Sequence, residues 1–189
     1  EAGPDYSDPD LLPEEIKYGY GRDRNIWARA FGRGSPYDWG FVARSTDLSG
    51  PMIVPRGKIV GGSSAVNAQI FLRGIPEDYD RWALEGNKGW GFQDLLPYFK
   101  KIERDVDFED EYHGNVGPIV ARRFKIDELN VDQRSFYLAA LSAGYPECPD
   151  HNSPYGTGVG PVPLNNLDGI RYSTAMGYLN SARHRANLE

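Results

Sequence analysis

The chain has 189 residues, 40% hydrophobic and 13% aromatic, enough to bury a substantial core as one domain or as parts of two. Its 21 basic and 27 acidic residues leave a net charge of −6 with a pI near 5.1. The basic side chains are scattered rather than striped along a face, so nucleic acid and anionic membrane surfaces are poor partners. A lone cysteine, Cys148, gives no internal disulfide and no metal cluster, and reads as a small unreactive side chain in a turn. No apolar run approaches the roughly 18 to 20 residues of a membrane span. No secretory signal opens the chain, and a cytoplasmic protein is expected; the first residue is Glu1 rather than Met, and the natural start is expected to be missing.

From the start, Asp5 to Pro13 reads as loop, and a short helix is expected from Pro13 through Tyr20, with Glu14 and Glu15 in a favourable first turn. Gly19 to Gly50 has glycines, arginines and aromatics without sustained period. Such a stretch suggests a functional lid, or a surface loop anchored by Trp27, Phe31, Tyr37 and Trp39. Pro51 to Pro55 passes as a short strand. Residues 57–74 then combine a glycine turn, two hydroxyls and a run able to start a helix. Lys58-Ile59-Val60 arrives extended, Gly61-Gly62 turns, and Ser63 or Ser64 can cap the helix after it. Free N–H donors at such a start favour an anion by roughly 0.3 to 1 kcal/mol from the dipole. Asn67, one turn past Ser63, can offer a donor and an acceptor in the same direction. By itself the segment reads equally as an ordinary turn before a capped helix.

Beyond it, Pro76 suits a first helical position, Tyr79, Trp82 and Ala83 share a face, and Gly86 provides the stop. Phe92, Leu95, Leu96, Phe99 and Ile102 follow amphipathic spacing, with Pro97 expected to kink or divide that helix. The acidic run Asp105 to Glu111 reads as a solvated connection. His113 reads as a turn residue rather than a base, and Ile119 to Arg122 as a strand. A helix capped by Asp127 or Asn130 should present Phe136, Ala139, Ala140 and Ala143 on one face and end at Gly144. Tyr145 to Asp168 is mostly loop. Within it, Gly156-Thr-Gly158-Val-Gly160 lacks the spacing and preceding strand of a dinucleotide turn. Ser173 or Thr174 can cap a last helix through Arg183, and residues 187–189 lead toward another strand.

Gly57-Lys58, Val60-Gly61-Gly62-Ser63-Ser64, Val66-Asn67, Phe71, Gly74 and Asp80 together resemble the first signature of the glucose-methanol-choline (GMC) oxidoreductases. The resemblance continues through residues 36–40, Pro76 to Trp82, Gly89-Trp90, Leu96 to Lys101 and the block from Gly169 to Leu188. It implies a mixed α/β chain: part of a Rossmann-like FAD-binding domain over residues 1–111, with flavin lid and signature helix, and part of a substrate-binding domain with an antiparallel sheet over 112–189. It implies FAD contact by Glu1, Arg56, Gly61, Gly62, Ser63, Asn67, Ala68 and Ile70. Glu1 would accept from the adenosine ribose hydroxyls, unless it is only a frayed terminus. Val66 stands where some members carry a flavin-linked histidine, so the flavin should be non-covalent. The implied reaction is hydride transfer from an alcohol carbon to flavin N5.

The Gly-x-Gly-x-x-Gly turn and the family's C-terminal catalytic histidine are absent from this sequence; His113, His151 and His184 sit in no matching motif, so no catalytic residue is assigned. The expected partners are a small alcohol and the remaining polypeptide of the same enzyme, without which the chain should be inactive. Two alternatives stay open: a hydroxynitrile lyase-like member and an inert fragment.

Overall fold

The computed structural model describes residues 1–18, 29–30 and 34–188; the readings at Trp27, Phe31 and Glu189 lie outside them. In chain order its regular elements are α1 (Glu14–Lys17), β1 (Phe41–Ala43), β2 (Met52–Val54), α2 (Pro76–Leu84), α3 (Phe92–Ile102), β3 (Glu103–Asp105), β4 (Ile119–Ala121), α4 (Val131–Ser142), β5 (Asn166–Leu167), β6 (Ile170–Arg171) and α5 (Asn180–Ala182). They make a mixed α/β chain whose sheets, among the described residues, are three two-stranded pairs. Packing divides it into two compact units, residues 1–69 with 166–189, and residues 70–165. That division rests on packing, a different basis from the division by function at 111–112.

In the first unit, Ile16, Ala30, Tyr37, Ile59, Ala65 and Val66 form the core, with Tyr6 and Leu12 packed on it. Tyr37 thus anchors its loop as expected, whereas Trp39 stays exposed, stacked on Phe41 at 5.9 Å. The antiparallel β1–β2 pair sets Val42 opposite Ile53. β5–β6 is a tight hairpin whose turn residues, Asp168 (φ 52°) and Gly169 (φ 79°), are both left-handed, the conformation that matches strand twist in two-residue turns. The last helix begins as a wide π-helical turn, Ala175–Leu179.

In the second unit, Pro76 opens α2 and Gly86, at φ 103°, lies just past its end. Asp80 on α2 accepts from the Phe92 amide (2.9 Å), which fixes the start of α3. The α3 stripe packs inward through Phe92, and Tyr79 meets Phe92 and Phe99 at ring separations of 6.4 and 5.4 Å. Pro97 does not divide this helix. Pro97 and Gln93 both lie on the exposed face, so the carbonyl that loses an amide partner can bond to water. β3 and β4 pair in parallel, Arg104 opposite Val120; residues 106–118 provide the crossover. Asn130, not Asp127, precedes α4 and donates its N–H to Gln133. The predicted inner face of α4 is wrong at Phe136, which is 71% exposed; Tyr137 is the buried residue, held by a hydrogen bond from its hydroxyl to Glu147.

Candidate functional site

The turn predicted to hold an anion is present, in a shape that differs from the expectation. Gly61 has φ 98° and Gly62 φ 55°, left-handed values that glycine adopts without steric cost. The chain then makes a single 3-10 turn, Gly62–Ala65, rather than a helix. The long-helix dipole invoked from sequence is therefore absent, and binding here depends on backbone approach. Neither serine caps a helix. Ser63 Oγ accepts from the Gly57 amide (3.1 Å), while Ser64 Oγ donates to the Gly61 carbonyl (2.6 Å) and accepts from the Thr174 amide (3.0 Å).

Close packing makes this turn rigid. A Cβ on Gly57 would overlap the Gly62 carbonyl, and one on Gly61 would press on Ala175 Cβ at 3.2 Å. One on Gly62 would meet nothing within 4 Å. Gly62 is thus the open point of an otherwise braced turn, a place where another group can come against backbone.

The N-terminal segment runs beside it. The Val60 amide donates to the Pro4 carbonyl (3.0 Å), and Gly3 approaches Lys58 so closely that a Cβ would overlap its carbonyl. Glu1, two residues away, is exposed and accepts from the amides of Ala2 and Gly3 at 3.0 and 2.8 Å. Arg56 is also exposed, and its guanidinium donates to the Pro55 carbonyl. Val66 points into the core.

Asn67 departs from its predicted role as both donor and acceptor. Its Oδ1 is committed inward, accepting from the Gln69 amide (2.9 Å) and from Arg171 Nη1 (3.0 Å). Ala68 adjoins it, half-buried. Ile70 is exposed and falls at the start of the second unit, while the other predicted residues lie in the first. Arg171, which the sequence reading did not single out, is only 2% exposed, and among the described residues its bonded partners include no carboxylate.

The second unit holds a different polar centre. Arg123 Nη1 grips both oxygens of Asp105 (3.0 and 2.8 Å), and its Nη2 reaches Asp150 (2.6 Å). Arg73 Nη2 donates to Glu103 (2.6 Å), whose same oxygen accepts from the Gly114 amide (2.9 Å). His113 Nδ1 lies 2.8 Å from Asp110, and its Nε2 lies 3.3 Å from Asp150 and 3.7 Å from Asp105. Glu103, Asp105 and His113 bring ligand-type atoms within 4.8 Å of one another, but the two guanidiniums already occupy both carboxylates. The cluster is an ion-pair network.

Burial works against the charged form of His113, yet hydrogen bonds to Asp150 and Asp110, with the charges of Asp150 and Glu103, outweigh it and raise its pKa. Burial likewise pushes the Asp150 carboxyl up, and His113, the Asn152 amide and Arg123 together hold it well below the usual range. Glu103 is left raised, chiefly by burial. His113 is therefore a buried member of a charge network, neither a plain turn residue nor a solvent-facing base. Asp105, read from sequence as solvated, is buried.

The family model described as GMC oxidoreductase matches residues 40–189. The chain belongs to the GMC oxidoreductases. It is 45% identical over 157 residues to a GMC-type oxidoreductase of Rhodococcus erythropolis, covering 83% of this chain and 31% of that one. It is 40% identical over 155 residues to an oxygen-dependent choline dehydrogenase of Vibrio vulnificus, covering 81% and 28%. Among solved structures it matches pyridoxine 4-oxidase from Mesorbium loti with a TM-score of 0.82 and 33% identity, over 100% of this chain and 35% of that one. The chain thus spans about a third of the length of these relatives. Members of the family use FAD. Among the described residues, no helix is long and apolar enough to cross a membrane.

Proposed function

We propose that this chain supplies the Gly57–Ala68 part of an FAD site in an enzyme that oxidises an alcohol CH–OH group. The observation that carries the reading is Gly62: left-handed, braced by its neighbours, and open where a side chain would stand. An approach of that kind suits a pyrophosphate held against backbone amides. Gly61 and Ser63 shape the turn. Asn67, its oxygen held inward, leaves its Nδ2 as the donor for a cofactor ring, with the Ala68 backbone beside it. Glu1, two residues from the Gly3 that packs on Lys58, is the residue we assign to the ribose hydroxyls, exchanging its present bonds to Ala2 and Gly3 for vicinal O–H donors. Arg56, exposed at the mouth of the signature, is assigned to the cofactor as well.

Bound FAD supplies the hydride acceptor at N5. The residues of this chain hold and orient; the proton acceptor is assigned to polypeptide outside these 189 residues. The buried Val66 has no nucleophile, which supports a non-covalent flavin. Choline and pyridoxine, named in two relatives, are both primary alcohols, and that substrate class is the one we assign.

The test is expression of the full-length protein with FAD, followed by turnover of a primary-alcohol panel with dye reduction or peroxide release. A yellow protein that reduces dye with a primary alcohol is expected. A colourless protein that takes up no FAD refutes the cofactor reading. A flavin-loaded protein that leaves every alcohol unoxidised and cleaves a cyanohydrin points instead to lyase chemistry.

A further inference from the structure

Arg171 sits at the second residue of β6, yet its guanidinium lies under the carbonyl end of the glycine turn. Nε donates to the Ile16 carbonyl (3.0 Å), and Nη1 donates to the carbonyls of Ser64 (3.3 Å) and Asn67 (2.7 Å) and to Asn67 Oδ1 (3.0 Å). Among the described residues, Nη2 is buried without a hydrogen-bond partner. Burial pushes the guanidinium down to about 10. Beside it is a cavity of about 20 Å³, lined by Ile59, Ala65, Ser173 and Ala175 among others, room for about one water.

Burying a cation this way is costly. Lysine could present a charge here, but not a planar fork with separate Nε and Nη1 donors in fixed directions. Those directions have one consequence for the site. Three acceptors of the Ser64–Asn67 segment converge on Nη1, and one of them is the Asn67 side chain. With Oδ1 pinned on Arg171 and on the Gln69 amide, the Asn67 amide cannot turn over, and its Nδ2 is fixed on the side away from the guanidinium.

We infer that Arg171 is a positioning residue of the cofactor site: it locks Asn67 with its N–H₂ outward as a donor and holds the carbonyl end of the 61–67 turn in the shape the cofactor meets. This rests on the FAD reading above. A group preset in this way donates to a cofactor acceptor without an ordering cost at binding. It acts through Asn67, and it touches no reacting atom.

The experiment uses the full-length flavoprotein and its Arg171→Lys, Asn67→Ala and double variants. FAD dissociation constants and the visible flavin spectrum are measured for each, with thermal unfolding of the FAD-free form as a control. The expected result is an FAD affinity about tenfold weaker in Arg171→Lys, the upper end of what one neutral hydrogen bond contributes, with a shifted flavin band. Asn67→Ala should show the same loss, and the double variant no further loss. A stability defect alone would leave the spectrum of loaded protein unchanged. Wild-type affinity and spectrum in Arg171→Lys overturn the inference, as do losses that add in the double variant. If Arg171→Lys does not fold, Asn67→Ala decides: unchanged FAD binding in that variant overturns the inference. Failure of the wild-type protein to bind FAD overturns the cofactor reading itself, a separate outcome.

Discussion

Replacing Arg123 by methionine keeps most of the side-chain stem and removes the cation that joins Asp105 to Asp150. Three hydrogen bonds of 2.6 to 3.0 Å disappear together, and both carboxylates stay behind where water scarcely reaches: the side chains of Asp105 and Asp150 are 0% and 7% exposed. Their only remaining nearby cation among the described residues is His113, already shared with Asp110. Breaking a buried pair by removing one partner costs about 3 to 5 kcal/mol, because the charge left behind is uncompensated. Against a typical stability of about 5 to 15 kcal/mol, that is about a fifth of the whole or more. Urea unfolding followed by tryptophan fluorescence measures it, with Trp82 and Trp90 reporting from the same unit. Adding Asp105→Asn should restore part of the loss, since it removes one stranded charge. A loss below about 1 kcal/mol in the single variant, or further destabilisation in the double variant, would refute the argument that this network is a desolvated, mutually dependent set.

The same network sets the pH dependence of the fold. His113 has a raised folded pKa, so its contribution is complete below about 6.5 and is lost as pH rises through the raised value, and the raised Glu103 slopes the same way. The lowered Asp150 and Asp110 contribute fully above about 4 and lose that contribution as pH falls. Thermal unfolding across pH should peak between about 4 and 6.5 and decline above that; a flat or rising profile above about 6.5 would contradict the assignment, and His113→Asn should flatten the alkaline side. Gly57→Ala forces a Cβ against the Gly62 carbonyl and should cost about 1 to 3 kcal/mol, read by urea titration. Gly62→Ala meets open space and costs only the left-handed strain, about 1 to 2 kcal/mol, yet it should weaken FAD binding more than it lowers stability; equal FAD affinity would remove Gly62 from the cradle. Acid precipitation of the loaded protein should release free flavin to the supernatant, and colour retained in the pellet would contradict the reading of Val66.

Much of the fold was legible wherever a residue acts through its own backbone or its near neighbours. Pro76 at a helix start, Gly86 and Gly144 just past helix ends, and Asn130 before α4 all behave as their local chemistry dictates. The Asp168-Gly169 hairpin turn is just as local, yet it straddles the end of the Tyr145 to Asp168 stretch that reads mostly as loop. Periodicity misled where the partner surface is remote: Phe136 has the right spacing, but α4 is held by Tyr137.

The sequence by itself determined the glycine turn, its family and the absence of a nucleophile at Val66, because those depend on contiguous residues and allowed backbone angles. Tertiary structure decided what the charges do. Arg171 meets Asn67 across 104 positions, and Arg73 meets Glu103 across 30. A charged residue in a polar stretch carries no local sign that it will be buried, since burial becomes tolerable only when its partners arrive from other parts of the chain. For that reason Asp105 read as solvent-facing and Arg171 carried no assigned role, while in the folded protein both are buried among partners from distant parts of the chain.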